Sequence, residues 1–357
     1  MKKRVNPPMI VLGRESRGYT QKDMAEKLRI SQGKMSKIEN GFLIPSDEEI
    51  MKLSRILDYP IHFFLKPNRT YSPNVMFYRK YQSLAKKEQN RISALIETQR
   101  IHLQELLEST ELINNTIMHL DTDEYGSPQE IAQIVRTHLG LPRGPIQNLT
   151  EVVEKAGIII IERDFGSPKF FGTSTTTEKQ EYIIFIDKNM PGDRTRFTIA
   201  HELGHIIMHR LPKIEAEKEA NSFAGEFLMP YRDIKSSLEN LTLEKLASLK
   251  TYWKVSMAAL LKRAYDINAI SERKYQFLWT QMAKEGSRKR EPIELDIPKE
   301  HPLLLSDIIN LHIDELEYSP DQICDLMGLF RHEFDEIYPI NKNNKLKGNQ
   351  FHLRVVQ

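Results

Sequence analysis

Apolar residues recur along this chain in several rhythms, and the changes of rhythm mark its parts. Over the first 60 residues they fall at helical spacing in short blocks separated by capping signals. Asn6-Pro7 reads as a helix start with proline in the first turn, and Thr20, Ser31 and Ser46 stand where a hydroxyl caps the next helix. Ser46 to Glu49 has the form of a capping box, with Ile50, Leu53 and Leu57 on the inner face of the helix that follows. Gly41, after Asn40, supplies a left-handed stop. Four helices are predicted, the second and third joined by a tight turn at Arg29-Ile30 as a helix-turn-helix. A longer helical period runs over 82–118 through Leu84, Ile92, Leu95, Ile96, Leu103, Leu106 and Leu107. It reads as a helix packed on the next domain or, alternatively, as a connector or dimer helix.

The rhythm then becomes that of strands. After helices near 128–139 and 146–155, Gly157–Glu162 is a β-branched run, and Lys169–Ser174 and Glu181–Asp187 read as two further strands. Beyond them the pattern is helical: a helix entered at Arg196 and another over 214–228, with Ala220, Phe223, Ala224, Phe227 and Leu228 as its apolar stripe. Residues 243–265 form a two-helix unit anchored by Trp253, and 318–336 a second helix-turn-helix-like pair without a basic face, read as packing or substrate docking. Lys66–Pro73 is turn-rich, the charged stretch 284–298 reads as a linker, and the polar, basic tail from Asn341 reads as disordered.

Composition adds bounds. A chain of 357 residues holds two or three domains. There is no run of 18 apolar residues for a membrane span, and the basic start has no apolar stretch after it, so a signal peptide is not expected. The single cysteine, Cys324, excludes an internal disulfide and fits a core position in a reducing, cytoplasmic compartment. Residues 1–70 hold fourteen Lys and Arg against eight Asp and Glu, a net of +6 where the whole chain is +2, which is the footprint of a phosphate-binding module.

Candidate chemistry lies in His201-Glu202-Leu203-Gly204-His205. Residues four apart share a helix face, so His201 and His205 can offer imidazole nitrogens to one zinc ion, and Glu202 can take a proton from the water it activates. The third ligand has several candidates. His209 continues the spacing, but eight residues of helix rise about 12 Å, too far for one ion, so it is read as a cap or support. On the next helix Glu217 borders the apolar stripe and is preferred, with Glu219 as the alternative and Asn221 as a group that orients a ligating histidine. Glu215 and Glu226 read as solvated.

The run FTIAHELGHIIMH from Phe197, then EKEANSFAGEFLMP ending at Pro230, then Tyr252 to Arg263, resembles the ImmA/IrrE family of metallopeptidases. The resemblance covers about 125–280. It implies a zincin-like (gluzincin) fold in which a Glu of the second helix completes the zinc site, and a repressor protein as substrate. Thr20–Leu28 and Ser31–Gly41 resemble the XRE (Cro/cI-like) family. That resemblance puts Gln32, Gly33, Lys34 and Lys37 on the groove-facing side of the recognition helix, and Gln21 and Asn40 at phosphates. Gln32 would read adenine and Lys34 guanine, while Gly33 leaves one position without a side chain.

The expected fold is mixed and mainly α: an all-α helix-turn-helix domain (1–67), a linker and connector helix (68–120), an α+β peptidase domain with a small sheet (121–285), and a linker, helical region and tail (286–357). The expected function is a DNA-binding, zinc-dependent endopeptidase that cleaves a regulatory protein. The alternative is a transcriptional regulator whose peptidase-like domain serves as sensor or scaffold with little turnover. DNA and a protein substrate are the expected partners, with no membrane. A homodimer on half-sites one turn apart stays open.

Overall fold

The computed structural model of the protein describes residues 5–67, 84–112, 116–210, 213–287, 290–338 and 353–355. It is mainly helical, with small sheets. The amino-terminal module contains α1 (Pro7–Ser16), α2 (Gln21–Leu28), α3 (Gln32–Glu39) and α4 (Asp47–Leu57), closed by a 3-10 turn at Ile61–Leu65. Thr20 with Asp23 and Ser46 with Glu49 form capping boxes, and the Ser31 hydroxyl accepts from the Lys34 amide. Arg29 adopts the left-handed conformation (φ 57°), making the tight turn between α2 and α3. Asn6 departs from the expected cap. Its side chain makes no cap bond to α1 and instead donates to the Lys66 carbonyl at 2.8 Å, tying the start of the module to its end.

The long helical period becomes α5 (Lys86–Leu106), shorter than the 82–118 expected because the chain turns into β1 (Thr110–Leu112). β1 pairs antiparallel with Leu353–Val355. That part of the tail is therefore a strand, while most of the segment expected to be disordered lies outside the described residues. Next come α6 (Thr122–Tyr125), α7 (Pro128–His138) and α8 (Leu149–Lys155). They lead to a sheet of β2 (Ile158–Arg163), β3 (Gly172–Thr176) and β4 (Tyr182–Asp187). Its order is β2-β4-β3, with β4 parallel to β2 and antiparallel to β3, so β3 is an edge strand.

This sheet is buried on both faces, as paired parallel strands usually are. Ile158, Ile160, Ile184 and Ile186 pack with α9 (Gly192–Met208), α10 (Ala216–Leu228), α12 (Leu243–Trp253) and α13 (Met257–Asp266), with Trp253 buried among them as expected. Ile159, Ile161, Ile183 and Phe185 face the other way, into a core shared with the helix-turn-helix module, α5 and the carboxy-terminal helices. Those helices are α15 (Leu304–Asp314), α16 (Pro320–Met327) and α17 (Arg331–Ile337); α11 (Tyr231–Ile234) and α14 (Glu272–Lys284) complete the helical set. Cys324 is a buried core residue of α16.

The stretch 284–298, read as a linker, is held against the domain it follows. Glu291 sits 2.6 Å from the Lys250 Nζ, and the backbone at Ile297 passes so close to Gly192 that a Cβ there would collide with its carbonyl oxygen. Buried Arg196 pairs with Glu300, and Glu154 of α8 accepts from the amides of Leu303 and Leu304, capping α15 from outside. Proline and charge content mark a chain without regular structure, but they do not say whether it is docked.

The helix pair α16–α17 packs against the helix-turn-helix module rather than standing free. Arg17 makes a two-pronged ion pair with Glu333 (2.7 and 2.6 Å) while its Cζ lies 4.2 Å from the Tyr59 ring centroid, and Lys66 reaches Glu105 and the Leu326 carbonyl. Removing one partner of a mostly buried pair strands the other charge. Glu333→Ala is therefore expected to cost roughly 1–3 kcal/mol, read as a lower midpoint in urea unfolding; an unchanged midpoint would mean that the clamp contributes nothing.

Candidate metal centre

His201 and His205 lie one turn apart on α9, and Glu217 lies on α10, so the centre exists only where those helices approach closely. Gly204 makes the approach: a Cβ at this position would stand 3.0–3.3 Å from the Phe223 side chain. Across the gap the two imidazole Nε2 atoms are 3.0 Å apart, and the Glu217 carboxylate lies 3.4 Å from that of His201 and 3.3 Å from that of His205. Three donors on a tetrahedron around zinc, at about 2.0–2.1 Å each, would be separated by roughly 3.3 Å. The cluster thus fits such an ion in donor type and spacing.

The outward nitrogens are also held. His201 Nδ1 lies 3.1 Å from Asn221 Oδ1 and can donate to it, which leaves Nε2 as the lone-pair atom facing the centre. His205 Nδ1 lies 3.0 Å from His209 Nδ1, and His209 Nε2 lies 2.9 Å from Glu219, which also meets Lys213 at 3.1 Å. Burial holds the His209 pKa below its ordinary value, and with Nε2 facing the Glu219 carboxylate its Nδ1 can accept from His205. Glu219 is partly buried, yet its bonds from His209 and Lys213 keep its carboxyl below the usual range. Glu219 thus meets His209, the helix C-cap, whereas Glu217 meets the paired histidines.

The profile of IrrE N-terminal-like domains, a peptidase class, matches residues 153–265, and that of helix-turn-helix domains matches residues 12–64. The chain joins a helix-turn-helix domain to an IrrE N-terminal-like peptidase domain. Metallopeptidase ImmA of Bacillus subtilis (strain 168) is 22% identical to it over 162 residues, which are 42% of this chain and 90% of that protein. All three residues of the cluster fall inside the IrrE-like match.

Glu202 of the IrrE-like domain is buried, and its Oε2 accepts from the Ser174 hydroxyl of β3 at 2.9 Å. The sequence reading missed Ser174, because nothing in a Thr-Ser-Thr strand distinguishes one hydroxyl from the next. Glu226 corrects an expectation. Read as solvated, it is almost wholly buried, paired with Arg263 and accepting from Gln133 (2.9 Å) and the Tyr231 amide (3.1 Å). Glu215 is exposed. A cleft of about 970 Å³ opens beside Glu217 and Asn221 and runs between α9, α10 and α13.

In the helix-turn-helix domain, Gln32, Gly33, Lys37 and Asn40 are exposed. A Cβ at Gly33 would meet nothing within 4 Å, so the helix face is open there. Lys34 is partly buried and bound to Glu49 at 2.5 Å, and Gln21 donates to Glu39 at 3.0 Å. No helix among the described residues is long and apolar enough to cross a membrane.

Orientation by a neighbouring group commonly changes metal affinity 10–100-fold. Asn221→Ala is expected to weaken zinc binding by about that factor in a chelator competition, with the fold retained by circular dichroism. Unchanged affinity would remove Asn221 from the centre.

Proposed function

We propose that this protein is a DNA-binding, zinc-dependent endopeptidase whose substrate is a regulatory protein, a repressor being the favoured kind. The observation that carries the reading is the convergence of His201, His205 and Glu217 beside a buried Glu202. A centre serving structure alone needs no buried carboxylate next to its ligands. The family resemblance and the peptidase profile support the same reading.

His201, His205 and Glu217 would hold the ion beside the cleft. Bound there, zinc supplies Lewis acidity, bringing the ionisation of water near neutral pH and polarising the scissile carbonyl. Glu202 accepts the proton of the attacking water and delivers it to the leaving amide nitrogen. The Ser174 hydroxyl donates to Oε2 of Glu202 and so orients its carboxylate for that transfer. β3, as an edge strand, offers backbone groups to an extended substrate. The repressor as substrate rests on the family resemblance.

Gln32, Gly33 and Lys37 would face the major groove, with Lys34 joining them on release from Glu49, while Gln21 and Asn40 would meet phosphates. A homodimer would place two such faces on adjacent half-sites.

The deciding experiment compares the wild type, Glu202→Gln and His205→Ala for zinc content and for cleavage of candidate repressors. One zinc per chain is expected in the first two and none in the third, with cleavage only by the wild type and suppressed by a chelator. Loss of Glu202 should lower the rate at least about 10²-fold. Cleavage retained by Glu202→Gln would overturn its role, and zinc retained by His205→Ala would overturn the ligand set. For DNA, Lys37→Ala should reduce the slope of log affinity against log salt by about 1 if Lys37 meets a phosphate; a changed base preference at constant slope would make it a base reader.

A further inference from the structure

The cleft beside the candidate metal centre presents one guanidinium with no carboxylate at ion-pair distance among the described residues. Arg194 stands exposed in the first turn of α9, its Cζ 3.7 Å from the Phe171 ring centroid. The other cations on the cleft walls, Lys218, Lys250, Lys262, Arg263 and Arg290, each have an acidic partner within ion-pair distance. Asp193, its neighbour in the chain, acts on it electrostatically but commits its carboxylate to the Lys250 ammonium and to the Arg194 backbone amide. A cation in the first turn also adds to the positive end of the helix dipole, which favours an anion there.

Two independent rulers place this group relative to the chemistry. Along α9, Arg194 precedes His201 by seven residues, on the same face and about 10.5 Å away. Along the sheet edge, Phe171 precedes Ser174, the residue that touches Glu202, by three residues, about 10 Å of extended chain. A substrate strand paired with β3 advances one residue per residue of β3, so both rulers give the same position. Stacking on Phe171 holds the guanidinium plane and leaves its N–H groups for a carboxylate.

We propose that Arg194 is a specificity subsite that binds an Asp or Glu side chain of the protein substrate about three residues from the scissile bond. This rests on the peptidase reading above and adds an acidic flank to its substrate.

The test uses the full chain incubated with Zn2+ and a peptide library prepared from a whole-cell protein digest, half of it with amidated C-termini. Cut sites are read by mass spectrometry for the wild type, Arg194→Gln and Arg194→Glu. Asp and Glu should be enriched about fivefold at one position near the third residue from the cut, as one well-placed charge pair can provide. Arg194→Gln should flatten the preference, and Arg194→Glu should turn it toward Lys and Arg. In a parallel arm, peptides captured by Glu202→Gln should show the same acidic enrichment, lost in the Glu202→Gln/Arg194→Gln double variant. If nothing is cut in a Glu202-dependent way, the peptidase reading fails while the capture arm still decides the subsite. Enrichment that is absent, that persists without Arg194, or that vanishes on amidation overturns the proposal; the last outcome would assign Arg194 to a chain-terminal carboxylate.

Discussion

Two-sided burial of the β2–β4 pair is the constraint on which the rest of the molecule depends. Successive side chains of a strand point to opposite faces, so the isoleucine runs of 158–161 and 183–186 supply two apolar surfaces from one stretch of sequence. One surface seats α9, and with it the two histidines. The other is covered by α5, the helix-turn-helix module and α15–α17. Neither cover is optional, since stripping either would expose a sheet of isoleucine and phenylalanine to water. The candidate metal centre of the peptidase-like domain and the helix-turn-helix module are thus held by opposite sides of the same two strands.

Within the metal centre, the approach of α9 to α10 at Gly204 and Phe223 plays the equivalent part. It lets a short carboxylate side chain from one helix reach the histidines of the other, while Asn221, from the same helix as Glu217, orients His201. His209, Glu219 and Lys213 form a second line of support that ends at the protein surface. From the sheet, Ser174 acts on Glu202.

What could be read from the sequence was whatever contiguous residues encode. The caps at Thr20, Ser31 and Ser46 and the spacing of His201 and His205 are local facts, and each appears in the structure. Glu217 could be preferred because its distance from an apolar stripe is also local. Glu226 could not be read correctly, since its partner Arg263 lies 37 residues away and only the fold brings them together. The same holds for Glu291 with Lys250, for Arg17 with Glu333, and for the three residues of the tail that pair with β1. Asn6 fails differently: its side-chain oxygen does not accept from the amides of α1, while its amide nitrogen donates to the Lys66 carbonyl at the far end of its module.

Among the described residues, the shared core behind the sheet packs the helix-turn-helix module and the peptidase-like domain against each other. Domains joined by a flexible tether search a volume, and each sees the other's ligand at an effective concentration set by tether length. Here α3 and the cleft beside the candidate metal centre keep one fixed bearing. For a chain docked on DNA by α3, that bearing becomes a matter of phase: each base pair added between the docking site and a neighbouring DNA-bound protein rotates that neighbour around the duplex. Reach would then return once per helical turn, about every 10 base pairs, rather than decay smoothly with distance.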